Sequence, residues 1–486
     1  MATPPPALYS CPMVRGVVAA CVAAIVFAAP AAGAAAQPLR TGVVDPLSLT
    51  GSDAQLNFDR VQRTGSTVVK LLLYWRGIAP GGEVRPDGFD ATDPTASEYN
   101  AAAWERFDEQ VLRAVARGLD PIVYVYAAPD WAEGTGQGRN VGIVRPDPVE
   151  LGHFARAAAT RYSGSFVASS EPDAAPLPRV KYWQVWNEPN RDYYLMPQFV
   201  DTRLESPRLY RAMVNRFADG VRTVPGNLVV AGGLAPIGRP GKPAPLRFMR
   251  ALLAADVKFD VWAHHPYTSG GPTHKAAGRN NVSLGDLPEM RKVLRAAVKR
   301  GRVHSTTRSV AFWVTEFSWD AKPADPRGLP ANLHARWVSE ALYRMWTHGV
   351  SLVVWFKIKD EPLRGPGSTP YQSGFWTVSD KRKRSFTAFR FPTVAFIRSK
   401  GVFVWGRSPT SRPGTVVVEI KAGRRWRRLG TLTANGSGIF KRTYRTPVRK
   451  GYVRARFGGE TSLPFSLTPV RDRYVNPFGC GGAIPC

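Results

Sequence analysis

Two glutamates in this chain each follow an apolar run of the kind that forms a buried strand. Tyr182 to Trp186 leads directly into Asn187 and Glu188, and Val310 to Thr315 ends in Glu316, 128 residues later. Two carboxyl groups that face each other across a scissile bond can divide acid/base and nucleophilic work, as cleavage of a glycosidic bond by the common route requires. We therefore predict that Glu188 and Glu316 form one catalytic pair.

Short apolar runs alternate with longer amphipathic ones from residue 40 to about 395, which is typical of repeated βα units around a parallel sheet. Several runs are continuously apolar, as expected where both faces of a strand are buried. Eight strands are predicted, the number that a closed (β/α)8 TIM barrel needs. They are Thr41 to Val44, Thr67 to Trp75, Pro121 to Tyr126, Val180 to Trp186, Leu228 to Ala231, Phe259 to Ala263, Val310 to Thr315 and Leu352 to Phe356.

The active site of such a barrel lies at the C-terminal ends of its strands, so the residues there are the candidates for function. Strand six runs into His264, His265 and Tyr267, and strand eight carries Trp355. A single glutamate at a strand end is more often a surface residue. Two carboxylates together with a His-x-Tyr and a Trp are better explained by one site.

Four segments carry a resemblance to a known group: Trp186-Asn187-Glu188-Pro189-Asn190, His265-Pro266-Tyr267, Thr315-Glu316-Phe317 and Trp355. They resemble motifs of the retaining glycoside hydrolases of clan A, most of all family 39, with family 5 close behind. The resemblance spans roughly residues 40 to 395.

The resemblance implies that Glu188 is the general acid/base and Glu316 the nucleophile. It further implies that Tyr267 donates a hydrogen bond to Glu316 and that His265, rather than His264, belongs to the site. Asn187 would bind the hydroxyl beside the anomeric carbon, the alternative being a simple turn residue.

Aromatic side chains near the strand ends are candidates for stacking on sugar rings. We predict this role for Trp355, for which a place in the barrel core is the competing interpretation, and for Trp131 and Tyr193 in the loops. Lys70 departs from the family 5 pattern, which has an Arg on strand two. It can substitute only as a point charge, without the planar fork of Arg.

After residue 398 the sequence pattern changes to short runs rich in β-branched and aromatic residues. Val402 to Trp405, Thr415 to Ile420 and Tyr452 to Phe457 predict an antiparallel β-sandwich over residues 399–470. Residues 401–486 hold 16 Lys and Arg against 3 Asp and Glu. The densest patch surrounds Trp426 and is either a surface for a sugar or wall polymer or a solvated turn.

The ends of the chain are predicted to be separate from the two domains. Residues 1–36 are predicted to be a secretory signal peptide that ends in small residues, which leaves 37–398 as the catalytic domain. The prediction is a secreted, extracellular protein, either free or associated with the cell wall. The tail, 471–486, contains Cys480 and Cys486. Export favours a disulfide between them over two free thiols.

The formal net charge is +29, which favours an anionic polymer or surface as a neighbour, although an Arg-rich genome would have the same effect. No nucleic-acid motif, metal-ligand spacing or cofactor fingerprint stands out, so the predicted chemistry uses no metal and no cofactor. The sequence as a whole predicts an exported retaining O-glycoside hydrolase acting on a carbohydrate. The alternatives are a non-catalytic carbohydrate-binding scaffold and a transglycosylase of polysaccharide assembly.

Overall fold

The computed structural model describes residue 1 and residues 38–475 except 136–140, 170, 172, 324, 363–369 and 473. The predicted signal peptide and both tail cysteines lie outside these residues. The described residues from 38 onward belong to one compact unit.

Eight parallel strands close into a barrel in the order β1-β8-β7-β6-β5-β4-β3-β2. All eight strands predicted from the apolar runs are present, so the TIM-barrel prediction is confirmed. Their bounds are β1 Arg40–Val44, β2 Val68–Tyr74, β3 Asp120–Tyr126, β4 Tyr182–Val185, β5 Leu228–Leu234, β6 Val261–His264, β7 Ala311–Phe317 and β8 Leu352–Phe356.

Helices connect the strands and cover the outside of the barrel. Their apolar residues recur at helical spacing: Trp104, Phe107 and Val111 are buried in α3 (Ala101–Val115), whose first turn is capped by the Asn100 side chain. The other helices are α1 Ala54–Arg63, α2 Trp75–Ile78, α4 Pro148–Arg161, α5 Ser206–Val221, α6 Pro245–Leu252, α7 Leu287–Lys299, α8 Ala331–Thr347 and α9 Arg384–Arg390. None of the helices described is long and apolar enough to cross a membrane.

The apolar interior forms two layers because successive side chains of a strand point to opposite faces. One cluster fills the barrel and includes Val68, Tyr124, Trp313 and Val354. The other lies between barrel and helices and includes Val69, from the same strand as Val68. Strand position therefore decides whether a residue can reach the barrel mouth.

Two antiparallel sheets follow the barrel, which confirms the predicted C-terminal β-sandwich. The first sheet is β9-β10-β13, and the second is β12-β11-β14-β15 with β16 paired to β14. The strands are β9 Thr393–Arg398, β10 Gly401–Arg407, β11 Gly414–Lys421, β12 Trp426–Ala434, β13 Ile439–Tyr444, β14 Tyr452–Phe457, β15 Glu460–Thr461 and β16 Phe465–Ser466. The first strand thus begins six residues before the predicted domain boundary, because Thr393–Arg398 pairs along its whole length with β10.

Aromatic contacts join the first sheet to the barrel. The ring of Tyr343 on α8 lies 5.4 Å from the rings of both Phe396 and Trp405. Arg407 is fully buried there and donates hydrogen bonds to Thr41 on β1 and to the Phe389 carbonyl. The second sheet also reaches the barrel, because Arg336 on α8 donates to the Ser466 carbonyl at 2.8 Å.

Candidate active site

Glu188 is held just beyond β4 by an unusual backbone. Trp186 and Glu188 have positive φ values of 62° and 36°. Residues other than Gly rarely adopt such backbone conformations. The Glu188 N–H donates to the Gly233 carbonyl at 3.1 Å, at the end of the neighbouring strand β5. Such strain persists where the surroundings fix it and is frequent at active sites.

Glu316 lies inside β7 at a β-bulge. Pairing between β7 and β8 is regular up to Val314 and resumes at Phe317, so Thr315 and Glu316 together face a single residue of β8. Bulges re-aim side chains and are frequent beside active sites. Tyr267 donates a hydrogen bond to Glu316 Oε1 at 2.7 Å, the contact that the resemblance implied.

His265 links the two glutamate-bearing strands. Its Nδ1 lies 2.9 Å from Glu188 Oε1, and its Nε2 lies 3.2 Å from the hydroxyl of Thr315, the neighbour of Glu316. Burial lowers the pKa of His265 to about 3, so the ring is neutral near pH 7. His264 instead contacts the Val282 carbonyl. The preference for His265 over His264 therefore agrees with the geometry.

The two carboxyl groups have different surroundings. Burial raises the pKa of Glu188 to about 7, against the opposing effects of Arg191 and Lys70. The Glu188 side chain is 8% exposed and the Glu316 side chain 18%. Glu188 therefore holds its proton near neutral pH, whereas Glu316 is better solvated. A general acid and a nucleophile need such different environments.

Lys70 is a buried cation inside the barrel. Its Nζ lies 3.9 Å from Glu316 Oε2 and 4.4 Å above the Tyr124 ring, and it makes no hydrogen bond to any described residue. Burial lowers the pKa of Lys70 to about 8, although Glu316 and Glu188 favour its charged form. Lys70 therefore supplies positive charge to the site as a point charge.

Two more predicted residues lie beside the pair. Asn187 is buried next to Glu188 in the chain, and its Oδ1 accepts no hydrogen bond from the described residues. Tyr193 is half-buried, and its pKa is raised by burial and by the nearby charge of Glu188. Both therefore lie near Glu188, and their contact with a sugar stays a prediction.

The prediction for Trp355 is wrong. Its ring is buried in the layer between barrel and helices, stacked on Phe375 at 5.4 Å, and its Nε1 donates to the Ser373 carbonyl at 2.8 Å. The physical reason is the alternation of β8, in which Val354 and Phe356 contact the inner cluster and Trp355 faces outward. No ring face of Trp355 is left for a sugar.

Trp131 belongs to a different set of contacts. Its indole N–H donates to the Pro80 carbonyl at 2.8 Å, and its ring meets Trp75 and Phe89 edge-on. The structure thus associates Trp131 with the loop after β2, and none of its described contacts is with Glu188 or Glu316.

Sequence reasoning gave no role to three residues near the pair. Arg191 is 3% exposed, and the turn in which its N–H donates to the Glu188 carbonyl brings its charge close enough to lower the pKa of Glu188. Thr315 contacts His265, and Tyr371 is close enough for Glu316 to raise the pKa of its hydroxyl. A basic residue three places after a strand-end acid was the only signal available for Arg191. Among the described residues no group of His, Cys, Asp and Glu side chains could hold a metal ion.

The chain matches no protein-family model and no curated protein sequence. Its structure is similar to that of the GH39 enzyme from Xanthomonas axonopodis pv. citri, with a TM-score of 0.51 and 15% identity over 85% of this chain and 92% of that chain. It is also similar to a monomeric beta-xylosidase from Caulobacter crescentus CB15, with a TM-score of 0.50 and 15% identity over 85% and 96% of the two chains. The chain therefore has the fold of family 39 glycoside hydrolases.

Proposed function

We propose that this protein is a retaining O-glycoside hydrolase in which Glu188 is the general acid/base and Glu316 the nucleophile. The observation that carries the proposal is the contrast between the two carboxyl groups: Glu188 is desolvated and has a pKa of about 7, whereas Glu316 is better solvated and faces Lys70 and the Tyr267 hydroxyl. The fold shared with GH39 enzymes supports it.

In the first step Glu316 attacks the anomeric carbon, and the leaving oxygen takes the proton of Glu188. In the second step the ionised Glu188 removes a proton from water, which displaces Glu316 from the sugar. Neutral His265 keeps Glu188 oriented through both steps, and the Tyr267 hydroxyl holds the Glu316 carboxylate. Asn187 binds the hydroxyl next to the anomeric carbon, a role that its buried Oδ1, unpaired among the described residues, supports.

The decisive variant is Glu316→Ala, assayed on activated aryl glycosides. We expect turnover to be lost and azide to restore it, with formation of a glycosyl azide of inverted configuration. Glu340→Ala is the matched control, because it removes a carboxylate that is paired with Arg344 on α8. Full activity of Glu316→Ala would refute the assignment, and analysis of the wild-type products separates hydrolysis from transglycosylation.

We further propose that the protein acts outside the cell after loss of residues 1–36. The apolar run that ends in Ala34-Ala35-Ala36 supports this. Mass spectrometry of the protein recovered from the culture medium should give Gln37 as its first residue, whereas recovery of the full-length chain from the cell interior would contradict the proposal.

A further inference from the structure

The second sheet of the sandwich has an outward face that is both basic and aromatic. Opposite residues of neighbouring strands share a face, so the registers place Trp426, Lys421 and Tyr452 in one row. Val416, Val418 and Ile420, which occupy every second position of β11, are buried in the core of the sandwich. The row that contains Lys421 therefore points away from that core. We call this surface the basic face: Glu419, Lys421, Trp426, Arg428, Tyr452, Arg454 and Arg456.

At the centre of the basic face, Arg454 contacts both Trp426 and Glu419. The Arg454 guanidinium lies 4.1 Å above the Trp426 ring, and its Nε donates to Glu419 Oε2 at 2.6 Å. Arg456 reaches the other Glu419 oxygen at 3.7 Å. Two guanidinium groups of this face thus already pair with one carboxylate, the anionic group for which Arg is well suited.

Four further cations of this region have no carboxylate partner among the described residues. They are Lys421 and Arg428 on the face and Arg424 and Arg425 at the exposed turn between β11 and β12. Glu419 is the only acid on the face and is already engaged. The surface therefore carries uncompensated positive charge beside a Tyr452 ring that is 48% exposed.

We propose that the basic face binds an anionic polysaccharide whose negative groups are carboxylates. The unpaired guanidinium and ammonium groups would pair with the carboxylates. The Tyr452 ring, and the face of the Trp426 ring that Arg454 does not cover, would contact the apolar faces of the sugars. The choice of polysaccharide over nucleic acid or membrane rests on the proposed function of the barrel. The binding itself requires no turnover, so a failure of the binding test is distinguishable from a failure of the Glu316→Ala test.

The test uses the mature full-length protein and polygalacturonate as the probe, with neutral dextran, single-stranded DNA and anionic phospholipid vesicles as comparisons. Binding is measured by affinity electrophoresis and co-sedimentation at low and high salt. We expect binding to polygalacturonate that salt weakens, with none to dextran. The double variant Arg424→Glu/Arg425→Glu should weaken it by about tenfold or more, as expected for two cations near an anionic surface.

A matched control changes the net charge equally elsewhere: Lys292→Glu/Lys299→Glu, two exposed residues of α7. It should bind like the wild type, and both double variants should keep the wild-type activity on aryl glycosides. Trp426→Ala should weaken binding without a change of charge, and circular dichroism checks its fold. Equal loss in the α7 variant, or equally tight binding to DNA or vesicles, would overturn the proposal.

Discussion

The barrel mouth and the basic face both collect charged residues, but burial makes their physics different. In the mouth Glu188 and Lys70 are almost fully buried, so each changes the protonation of its neighbours: burial moves the pKa of Glu188 up and that of Lys70 down. On the basic face Lys421 is partly exposed and Arg428 exposed, and neither has a carboxylate partner in the part of the chain that the structure describes. Buried charges shift the pKa of neighbouring groups, whereas exposed charges create an electrostatic potential that dissolved salt screens.

The largest expected effect is on catalysis by Glu188→Gln. Without the acid, kcat/KM for glycosides with poor leaving groups should fall by about 10² to 10⁴-fold, the usual contribution of general acid catalysis. Glycosides with highly acidic leaving groups need no proton and should lose less in the first step. The wild-type rate should decline as pH rises through about 7, where Glu188 loses its proton, and the variant should lack that decline. Steady-state rates from pH 5 to 9 measure both, and an unchanged pH limb in the variant would remove Glu188 from the role.

The second effect is on the free energy of unfolding. Removing a carboxylate should raise this stability in the barrel mouth and lower it on the basic face. Burial raises the pKa of Glu188 from 4.5 in the unfolded chain to about 7, so this carboxyl lowers stability progressively as pH rises through that window. The full penalty is about 3 kcal/mol at 1.36 kcal/mol per unit of pKa. Glu188→Gln should therefore stabilise the protein at pH 8 by most of that amount and much less at pH 5.

Glu419→Gln is the matched variant on the basic face. It breaks an ion pair with partly exposed arginines and should destabilise the protein by about 1 kcal/mol or less at both pH values. Denaturant unfolding of both variants at pH 5 and pH 8 makes the comparison. A Glu188→Gln variant that is equally stable relative to wild type at the two pH values would contradict the desolvated state of Glu188.

Lys70→Met should have a smaller effect on catalysis. It removes the cation that faces Glu316, and the loss of such a charged contact corresponds to about a tenfold decrease in kcat/KM. Because Lys70 also lowers the pKa of Glu188, the alkaline limb should move to higher pH. Lys70→Arg keeps the charge and should restore the position of the limb. A limb that stays in place in Lys70→Met would mean that Lys70 acts only through packing.

The sequence predicted the barrel well because its strands are apolar on both faces, but the same property hides which face each residue occupies. Trp355 and Trp313 are both strand tryptophans, yet Trp313 belongs to the inner cluster and Trp355 to the outer one. Glu188 and Glu316 were found because polar residues at strand ends contrast with these runs. Arg191 was missed because only the turn after Glu188 brings it back to the site.

The sandwich was harder to predict because its strands are interrupted. The β12 strand, Trp426–Ala434, contains charged residues and Gly430, and no apolar run marks it. A side chain at Gly430 would meet the Tyr444 ring at 2.6 Å, so the glycine reflects close packing between the sheets rather than a loop. Of the two charged residues of β12, Arg428 shares the outward face with Glu419 and Arg427 lies opposite the buried Ile420, which is evident only once the strand pairs are known.

The last prediction concerns ionic strength, which should affect the basic face strongly and the barrel mouth hardly at all, although both depend on charge. Raising the ionic strength from 0.05 to about 0.5 M shortens the screening length to a few ångströms and should abolish binding of polygalacturonate to the basic face. The same change should hardly move the alkaline limb of activity, because water and ions have little access to Glu188, Lys70 and Arg191. Rates on a neutral aryl glycoside across the pH range at the two salt concentrations give the answer. A limb that moves with salt as strongly as binding does would mean that the mouth is as open to solvent as the basic face, and the account of Glu188 as a desolvated acid would fail.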